Sequence, residues 1–215
     1  MSEPLTYRTI LKPGQDVSII NKSRFIGQIA PVKTEEEAVA FIRSVKQTYA
    51  DARHHCYAYI LGVNAGLMRY SDDGEPGGTA GMPMMDVLRG KGLTNCCAVV
   101  TRYFGGILLG TGGLVRAYTQ GCSLAVADAG IAVMEQTDKF LCELPYPMWD
   151  KFQHDAADLP VQLSETSFTT AVSFSLSVRC KDTDAVLERL TQMTFGQIET
   201  LKEDTGYRPW TAEGE

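Results

Sequence analysis

The stretch Thr94–Gly130 reads TNCCAVVTRYFGGILLGTGGLVRAYTQGCSLAVADAG and joins two strong patterns through a glycine-rich segment. Its first part, through Phe104, is rich in valine and aromatic residues and predicts a buried β-strand. Its last part has apolar residues at helical spacing and predicts a long helix that ends at Gly130. Five glycines lie within the nine residues from Gly105 to Gly113. Because an ordered glycine costs more backbone entropy than alanine, an unusual turn or a closely approaching ligand must require them.

Upstream of this stretch, the chain predicts short strands and two helices. Three extended segments precede residue 33, and the third of them ends at Pro31. Thr34 and Glu37 have the spacing of a capping box, and the apolar residues that follow at helical spacing predict an amphipathic helix. Two strands over 54–62 and 65–71 and a short helix after Met82 complete this part. The pattern predicts a first α+β domain over residues 1–134.

The composition changes after residue 133. Of the 20 glycines, 17 lie at or before position 130. The remaining sequence predicts strands over 139–146, 160–166, 169–179 and 196–203 and helices over 147–158 and 182–193, with strict period-two alternation in the third strand. The order β-α-β-β-α-β is that of the ferredoxin-like fold. We therefore expect a second α+β domain over residues 135–215.

Charge and composition limit the class of protein. The chain has 215 residues and a formal net charge of −6, which argues against a protein that coats nucleic acid through bulk charge. The charge is unevenly distributed along the chain, since the stretch between Pro76 and Ala127 contains four basic residues and one acidic residue. No targeting segment is visible, and the longest uncharged run, Tyr103–Val115, is too short to span a bilayer. Six cysteines without a C-x-x-C pair indicate reduced, buried thiols, and we expect a cytoplasmic protein without a membrane partner.

The glycine-rich segment has the context of a phosphate-binding turn, because it follows a strand and opens a helix. The dinucleotide fingerprint fails, since Val115 stands where a small residue is required, and the Walker A pattern fails, since Thr111 replaces its lysine. A helix N-terminus with free N–H groups next to Arg102 and Arg116 remains, and it can hold a phosphate. The candidate main-chain donors are Gly110, Thr111, Gly112 and Gly113. The alternative is that these glycines only let the helix pack closely on the sheet.

Aromatic side chains lie at the start of the same segment. Tyr103 and Phe104 follow Arg102, and a guanidinium beside aromatic faces suits stacking on bases. The alternative is that both rings fill core and rim positions. Nothing in this segment calls for a cofactor.

The segment SDDGEPGGTAG, residues 71–81, interrupts the strand and helix patterns. Asp72, Asp73 and Glu75 could bind a hard cation through their oxygens, but the calcium-loop spacing is absent, so we expect no metal site. We regard these acids as a candidate ligand or partner loop. The alternative is a polar turn in which they cap backbone groups.

The segment DARHHCYAY, residues 51–59, places Arg53 before two adjacent histidines. His54 and His55 point to opposite faces of a strand and cannot chelate one ion together. Through space, one of them could pair with Asp72 or Asp73. This leaves open a small-molecule, hydrolase-like enzyme that uses the histidines, the acids of residues 72–75 and the glycine-rich segment, although no G-x-S-x-G elbow is present.

Three of these stretches together resemble the IMPACT family: DARHHCYAY, SDDGEPGGTAGMPM and VVTRYFGGILLGTGGLVRAY. The resemblance is dense over residues 20–130, and the last third is similar to the second domain of the bacterial, two-domain members. It implies a first domain like domain 2 of ribosomal protein S5, the fold of domain IV of elongation factor G. It implies a ferredoxin-like second domain similar to domain V of that factor.

The resemblance also implies a link to translation. Eukaryotic relatives regulate translation initiation with an additional N-terminal domain, while the bacterial members have no assigned reaction. We therefore expect a non-enzymatic protein linked to translation or its regulation, which binds RNA or a ribosome-associated protein through its first domain. Arg53, His54, Arg102 and Arg116 are the side chains expected at phosphates. A small-molecule enzyme and a pure protein-interaction module remain as alternatives.

Overall fold

The computed structural model describes residues 6–210, and these fall into two compact units. The first unit contains Tyr7–Met134 together with Pro209 and Trp210, and the second contains Glu135–Arg208 together with Thr6. The division lies inside one strand, β7 (Ile131–Leu144). Thr6 thus belongs to the second unit, although the sequence predicts it in the first domain. Pro209 and Trp210 belong to the first unit, although the sequence predicts them in the second domain.

The first unit is an α+β sandwich built on one antiparallel sheet. Its elements before β7 are β1 (Tyr7–Ile10), β2 (Gly14–Ile20), β3 (Ser23–Pro31), α1 (Glu35–Thr48), β4 (His54–Leu61), β5 (Leu67–Ser71), α2 (Gly81–Gly90), β6 (Cys96–Tyr103) and α3 (Gly110–Ala129). The strand order is β2-β3-β6-β4-β5. Strand β1 pairs with the first four residues of β7.

The two faces of this sheet have separate cores, because side chains alternate along each strand. On one face, α2 and α3 cover a core that includes Cys96, and on the other face α1 covers a core that includes Cys97. The adjacent cysteines therefore point in opposite directions, as predicted. Five of the six cysteines are buried, as predicted, and Cys180 is half-buried.

Helix α1 begins where the capping box predicts. The Thr34 hydroxyl accepts the backbone N–H of Glu37 at 3.2 Å, and the Glu37 carboxylate accepts the N–H of Lys33 at 2.6 Å. Helix α3 approaches the sheet closely where Gly27 of β3 faces Gly121. A Cβ on Gly27 of β3 would lie 2.0 Å from the carbonyl oxygen of Gly121 in α3. The close helix–sheet contact thus depends on glycines outside the glycine-rich segment.

Strand β2 is an outer strand of this sheet, and side chains bind two of its backbone donors. The N–H of Gln15 donates to the Asp128 carboxylate at 2.9 Å, and the N–H of Val17 donates to the Asp16 carboxylate at 2.6 Å. Val17 and Ile19 are exposed on the same strand. Carboxylates thus occupy N–H groups that another strand would need for pairing.

The second unit has the predicted β-α-β-β-α-β order. After β7 come α4 (Tyr146–Ala156), β8 (Val161–Phe168), β9 (Val172–Arg179), α5 (Thr183–Met193) and β10 (Glu199–Trp210). The strand order β10-β7-β9-β8 is that of a ferredoxin-like sheet. The prediction was wrong about two boundaries, since β7 begins eight residues before position 139 and β10 continues to Trp210.

A buried carboxylate ties three elements of the second unit together. Asp138 of β7 accepts hydrogen bonds from Thr183 at 2.9 Å, Thr205 at 2.6 Å and Cys180 at 3.3 Å, and it pairs with Lys202 at 2.8 Å. Burial alone would raise the pKa of Asp138, but these hydrogen bonds outweigh it and lower the pKa to about 2. Among the described residues, no helix is long and apolar enough to cross a membrane.

Candidate functional site

The end of β6 brings several of the predicted site residues together. In the strand register, His54 of β4 lies opposite Arg102, and Arg24 of β3 lies opposite Tyr103. His54 and Arg102 share the face covered by α2 and α3, whereas Arg24 and Tyr103 share the other face. The glycine-rich segment leaves the sheet directly after this point.

Tyr103 is held between an arginine and an acid. The Arg24 guanidinium carbon lies 4.5 Å from the Tyr103 ring centroid, and the Tyr103 hydroxyl donates to Asp51 at 2.6 Å. The hydrogen bond to Asp51 raises the pKa of Tyr103 and keeps its proton in place. Arg24, Lys22 just before β3 and Arg53 just before β4 are exposed. The strand ends therefore carry more basic than acidic side chains at the surface.

Arg102 is not at the surface, contrary to the sequence-based expectation of a phosphate contact. It is 6% exposed, and its Nη1 donates to both Glu75 carboxylate oxygens at 2.8 and 3.1 Å. Tyr118 of α3 donates its hydroxyl to the same carboxylate at 2.7 Å. A buried arginine needs such a partner, because an unpaired charge is costly away from water. Arg102 thus joins β6, α3 and the segment 71–81, and it does not offer its guanidinium to a ligand.

The three acids of the segment 71–81 are engaged within the protein. Asp72 accepts the backbone N–H groups of Gly78, Ala80 and Gly81 at 2.8–3.0 Å and so caps the start of α2. Asp73 pairs with Lys46 at 2.8 Å, and Glu75 pairs with Arg102 as described. The geometry corrects the expectation of a ligand or partner loop at these carboxylates, because each is used to fix the segment. Within residues 6–210, no group of three or more His, Cys, Asp or Glu side chains is arranged to hold a metal ion.

The two histidines meet the same acid but from opposite faces. His54 Nδ1 lies 2.9 Å from the main-chain oxygen of Asp73, and the backbone N–H of His55 donates to the Asp73 carboxylate at 2.7 Å. Burial opposes ionisation of Asp73, but the hydrogen bonds from Lys46 and His55 outweigh it and lower its pKa. The buried His55 ring lies 3.0 Å from the Tyr49 carbonyl oxygen. His55 Nδ1 also lies 3.8 Å from the Asp73 carboxylate, so the predicted pairing of a histidine with Asp73 occurs at ion-pair distance, whereas the His54 ring meets only the main-chain oxygen of Asp73.

The two potential nucleophiles beside Glu75, Cys56 and Tyr118, are both buried. Cys56 is buried, and burial raises the pKa of its thiol far above the ordinary value. Tyr118 is buried as well, and burial likewise raises its pKa. Neither the Cys56 thiol nor the Tyr118 hydroxyl is therefore activated as a nucleophile by a lowered pKa.

The fold requires some of the glycines in the glycine-rich segment but not all of them. A Cβ on Gly105 would lie 2.0 Å from the Lys22 carbonyl carbon, so Gly105 is needed for packing. Gly106 and Gly110 have φ angles of 83° and 67°, which favour glycine. Gly112 has neither restriction, since nothing lies within 4 Å of its Cβ position and its φ is not positive. The protein's own structure therefore does not explain the glycine at position 112.

The first turn of α3 presents its backbone donors to solvent. Gly110, Thr111 and Gly112 are exposed, no side chain caps this end, and the first turn contains no acidic residue. Arg116 is exposed a little further along α3, and it makes no ion pair or hydrogen bond with any described residue. The positive end of the helix dipole and an unengaged guanidinium thus both belong to the start of this helix.

Large apolar side chains of the same segment are also exposed. Leu108 is 86% exposed, Phe104 is 49% exposed, and Ile107 is exposed as well. Side chains of this kind on a glycine-rich loop commonly mark an interaction surface. Sequence reasoning identified Phe104 but missed Lys22 and Arg24, whose position depends on the pairing of β3 with β6.

Comparison with known proteins connects these features to a family. The Impact N-terminal domain model matches residues 21–126, and a domain of unknown function (DUF1949) matches residues 142–197. The IMPACT family member YvyE of Bacillus subtilis (strain 168) is 37% identical over 94% of this chain and 93% of its own length. An IMPACT family member of Haemophilus influenzae is 36% identical over 83% of this chain and 88% of its own length.

A solved structure is similar over nearly the whole chain. The crystal structure of a hypothetical protein superposes with a TM-score of 0.60 at 31% identity and covers 93% of this chain and 98% of that one. The segments that gather at the end of β6 all lie inside the region matched by the N-terminal domain model.

Proposed function

Because this chain belongs to the IMPACT family, we propose that it acts in translation or its regulation by binding RNA through its first unit. The observation that carries the proposal is the start of α3, where exposed glycines, an absent side-chain cap and an acid-free first turn leave backbone donors open. A helix N-terminus of this kind favours an anionic group such as a phosphate.

Exposed cations support the choice of a polyanion over a single small anion. Arg53 directly precedes β4, Lys22 directly precedes β3, Arg24 lies near the start of β3, and Arg116 lies on α3. The proposed phosphate contacts are made by Arg53, Arg116 and the backbone of Gly110, Thr111, Gly112 and Gly113. His54 is half-buried at the same sheet end, and it completes the set. Arg102 supports the site from beneath through Glu75.

The test is a salt titration of RNA binding. Fluorescence anisotropy with a labelled RNA would be measured at several salt concentrations for the wild type and for Arg53→Ala/Arg116→Ala. We expect weaker binding of the variant and a smaller salt slope, because each lost phosphate contact lowers the slope by about 0.7 to 0.9. Arg43→Ala, which removes an exposed arginine of α1 in the same unit, is the matched control and should leave both quantities unchanged.

Salt-independent binding, or identical curves for the wild type and the double variant, would contradict the proposal. Co-sedimentation with ribosomes, with and without nuclease, separates RNA from a ribosome-associated protein as the partner. Loss of co-sedimentation after nuclease treatment supports RNA, and retention supports the protein.

A further inference from the structure

We infer that the RNA bound by the first unit is single-stranded at the site, with an unpaired base stacked on the ring of Phe104. This inference rests on the proposed function and narrows its ligand. It is carried by the fixed position and the exposure of Phe104, and it does not depend on the helix terminus.

Phe104 is an aromatic ring with a rigid support. The Arg102 guanidinium carbon lies 5.5 Å from the centroid of Phe104 and 5.5 Å from the centroid of Phe25. Arg102 is itself held by Glu75, and its buried Nε has no hydrogen-bond partner among the described residues. The contact between cation and ring is therefore made by a guanidinium that cannot move into water. Phe104 remains 49% exposed and so has ring surface left for a ligand.

Neighbouring side chains favour an unpaired base over a duplex. Ile107 and Leu108 are exposed in the same loop, and apolar side chains against a duplex would meet hydrated phosphates. A duplex hides the faces of its bases within the stack, whereas a single strand presents them. Tyr103 lies under Arg24 on the other face of the sheet and donates to Asp51, so the stacking site consists of the Phe104 ring.

An apolar cleft of a protein partner would also accept Phe104 and Leu108. The charges around the loop favour RNA, since Lys22, Arg24, Arg53 and Arg116 are all exposed. No acidic residue occurs between Gly105 and Ala127 to complement a basic protein surface. Cations beside exposed rings are typical of proteins that bind single-stranded nucleic acid.

The experiment compares one RNA in two forms. A labelled strand of about 12 nucleotides, within the usual site size, would be titrated alone and as a blunt duplex by fluorescence anisotropy. We expect the wild type to bind the single strand roughly 10-fold more tightly than the duplex. Phe104→Leu keeps apolar bulk but removes the ring, so it should weaken single-strand binding roughly 10-fold and leave duplex binding unchanged. Phe104→Tyr keeps the ring and should bind like the wild type.

Phe195→Leu provides a matched control, because Phe195 is an exposed phenylalanine that contacts Lys151 in the second unit. It should not change binding of either form. Equal affinity for strand and duplex, or equal losses in Phe104→Leu and Phe195→Leu, would overturn the stacking site while the RNA function stands. Absence of binding to both forms would overturn the RNA function and the stacking site together.

Discussion

Glu75 shows how a charged residue in the segment 71–81 serves the fold. Its carboxylate receives Nη1 of Arg102 and the hydroxyl of Tyr118, and both charged side chains are almost fully buried. The pair links the segment 71–81 to β6 and α3, which carry the candidate binding surface. Removing one member leaves the other charge without its partner inside the protein.

We predict that Glu75→Ala lowers the free energy of unfolding of the first unit by about 3–5 kcal/mol, because it strands the Arg102 guanidinium. Urea unfolding followed by circular dichroism measures the loss. The double variant Glu75→Leu/Arg102→Met should recover much of it, since no buried charge then remains. A loss below about 1 kcal/mol, the range of exposed pairs, would show that the pair is not a structural link.

At the scale of elements, the glycines at the junction between β6 and α3 differ in whether the fold requires them. Gly105 is fixed by the backbone of Lys22, and Gly110 is fixed by its positive φ. Gly112 lies in the first turn of α3 with open space at its Cβ position. A glycine that the fold does not need is the position at which stability and binding can be separated.

Gly112→Ala should therefore increase the stability of the protein and weaken its binding to RNA. We expect a gain of about 0.5 kcal/mol in the free energy of unfolding, because alanine loses less backbone entropy in a helix. The added methyl group should weaken RNA binding if a phosphate approaches the first turn closely. Thermal unfolding and anisotropy on the same sample measure both effects. Unchanged RNA affinity would contradict a close approach at this position.

Gly110→Ala is the informative comparison, because alanine at a φ of 67° is strained. It should destabilise the protein, in contrast to Gly112→Ala. If both substitutions changed stability in the same direction, the assignment of their separate roles would be wrong.

At the scale of the whole molecule, the two units have separate hydrophobic cores and different buried charged groups. The first contains the buried Glu75–Arg102 pair, and the second contains Asp138 with its four donors. Their responses to mutation and to acid should therefore be independent, since residues without shared partners have additive effects.

The lowered pKa of Asp138 leads us to predict that the second unit loses stability at low pH. Its folded pKa of about 2 lies below the ordinary aspartate value, so its stabilising contribution is complete above the unfolded pKa and is lost as pH falls through about 2. The difference corresponds to about 2 kcal/mol. Asp138→Asn should lack this part of the acid response, which urea unfolding at pH values between about 5 and 2 measures. Parallel pH curves for the wild type and the variant would contradict it.

The sequence predicts the elements of this molecule well because periodicity and capping are local. Thr34 begins α1 through Glu37, and the glycine at 130 ends α3, as their neighbours in the chain require. The family resemblance and the β-α-β-β-α-β order are confirmed by the matching domains and by the strand order. Boundaries such as the start of β7 were wrong, because pairing with β1 extends that strand beyond its own alternating pattern.

The candidate site could be predicted only in part, because its charges are arranged by tertiary contacts. Arg102 and Glu75 are 27 positions apart, and no local pattern shows that they form a buried pair. The same holds for Arg24, which reaches Tyr103 only through the β3–β6 register. Composition identified the loop and its basic surroundings, whereas the structure decides which arginines are available to a ligand.

The carboxylates along β2 have a consequence for behaviour in concentrated solution. Val17 and Ile19 would make this edge a template for cross-chain fibril growth if its amide hydrogens were open. The carboxylates of Asp128 and Asp16 accept the N–H groups of Gln15 and Val17, so a strand that pairs through these two N–H groups must first displace the carboxylates. The edge strand can therefore expose these two apolar side chains without favouring strand pairing between molecules.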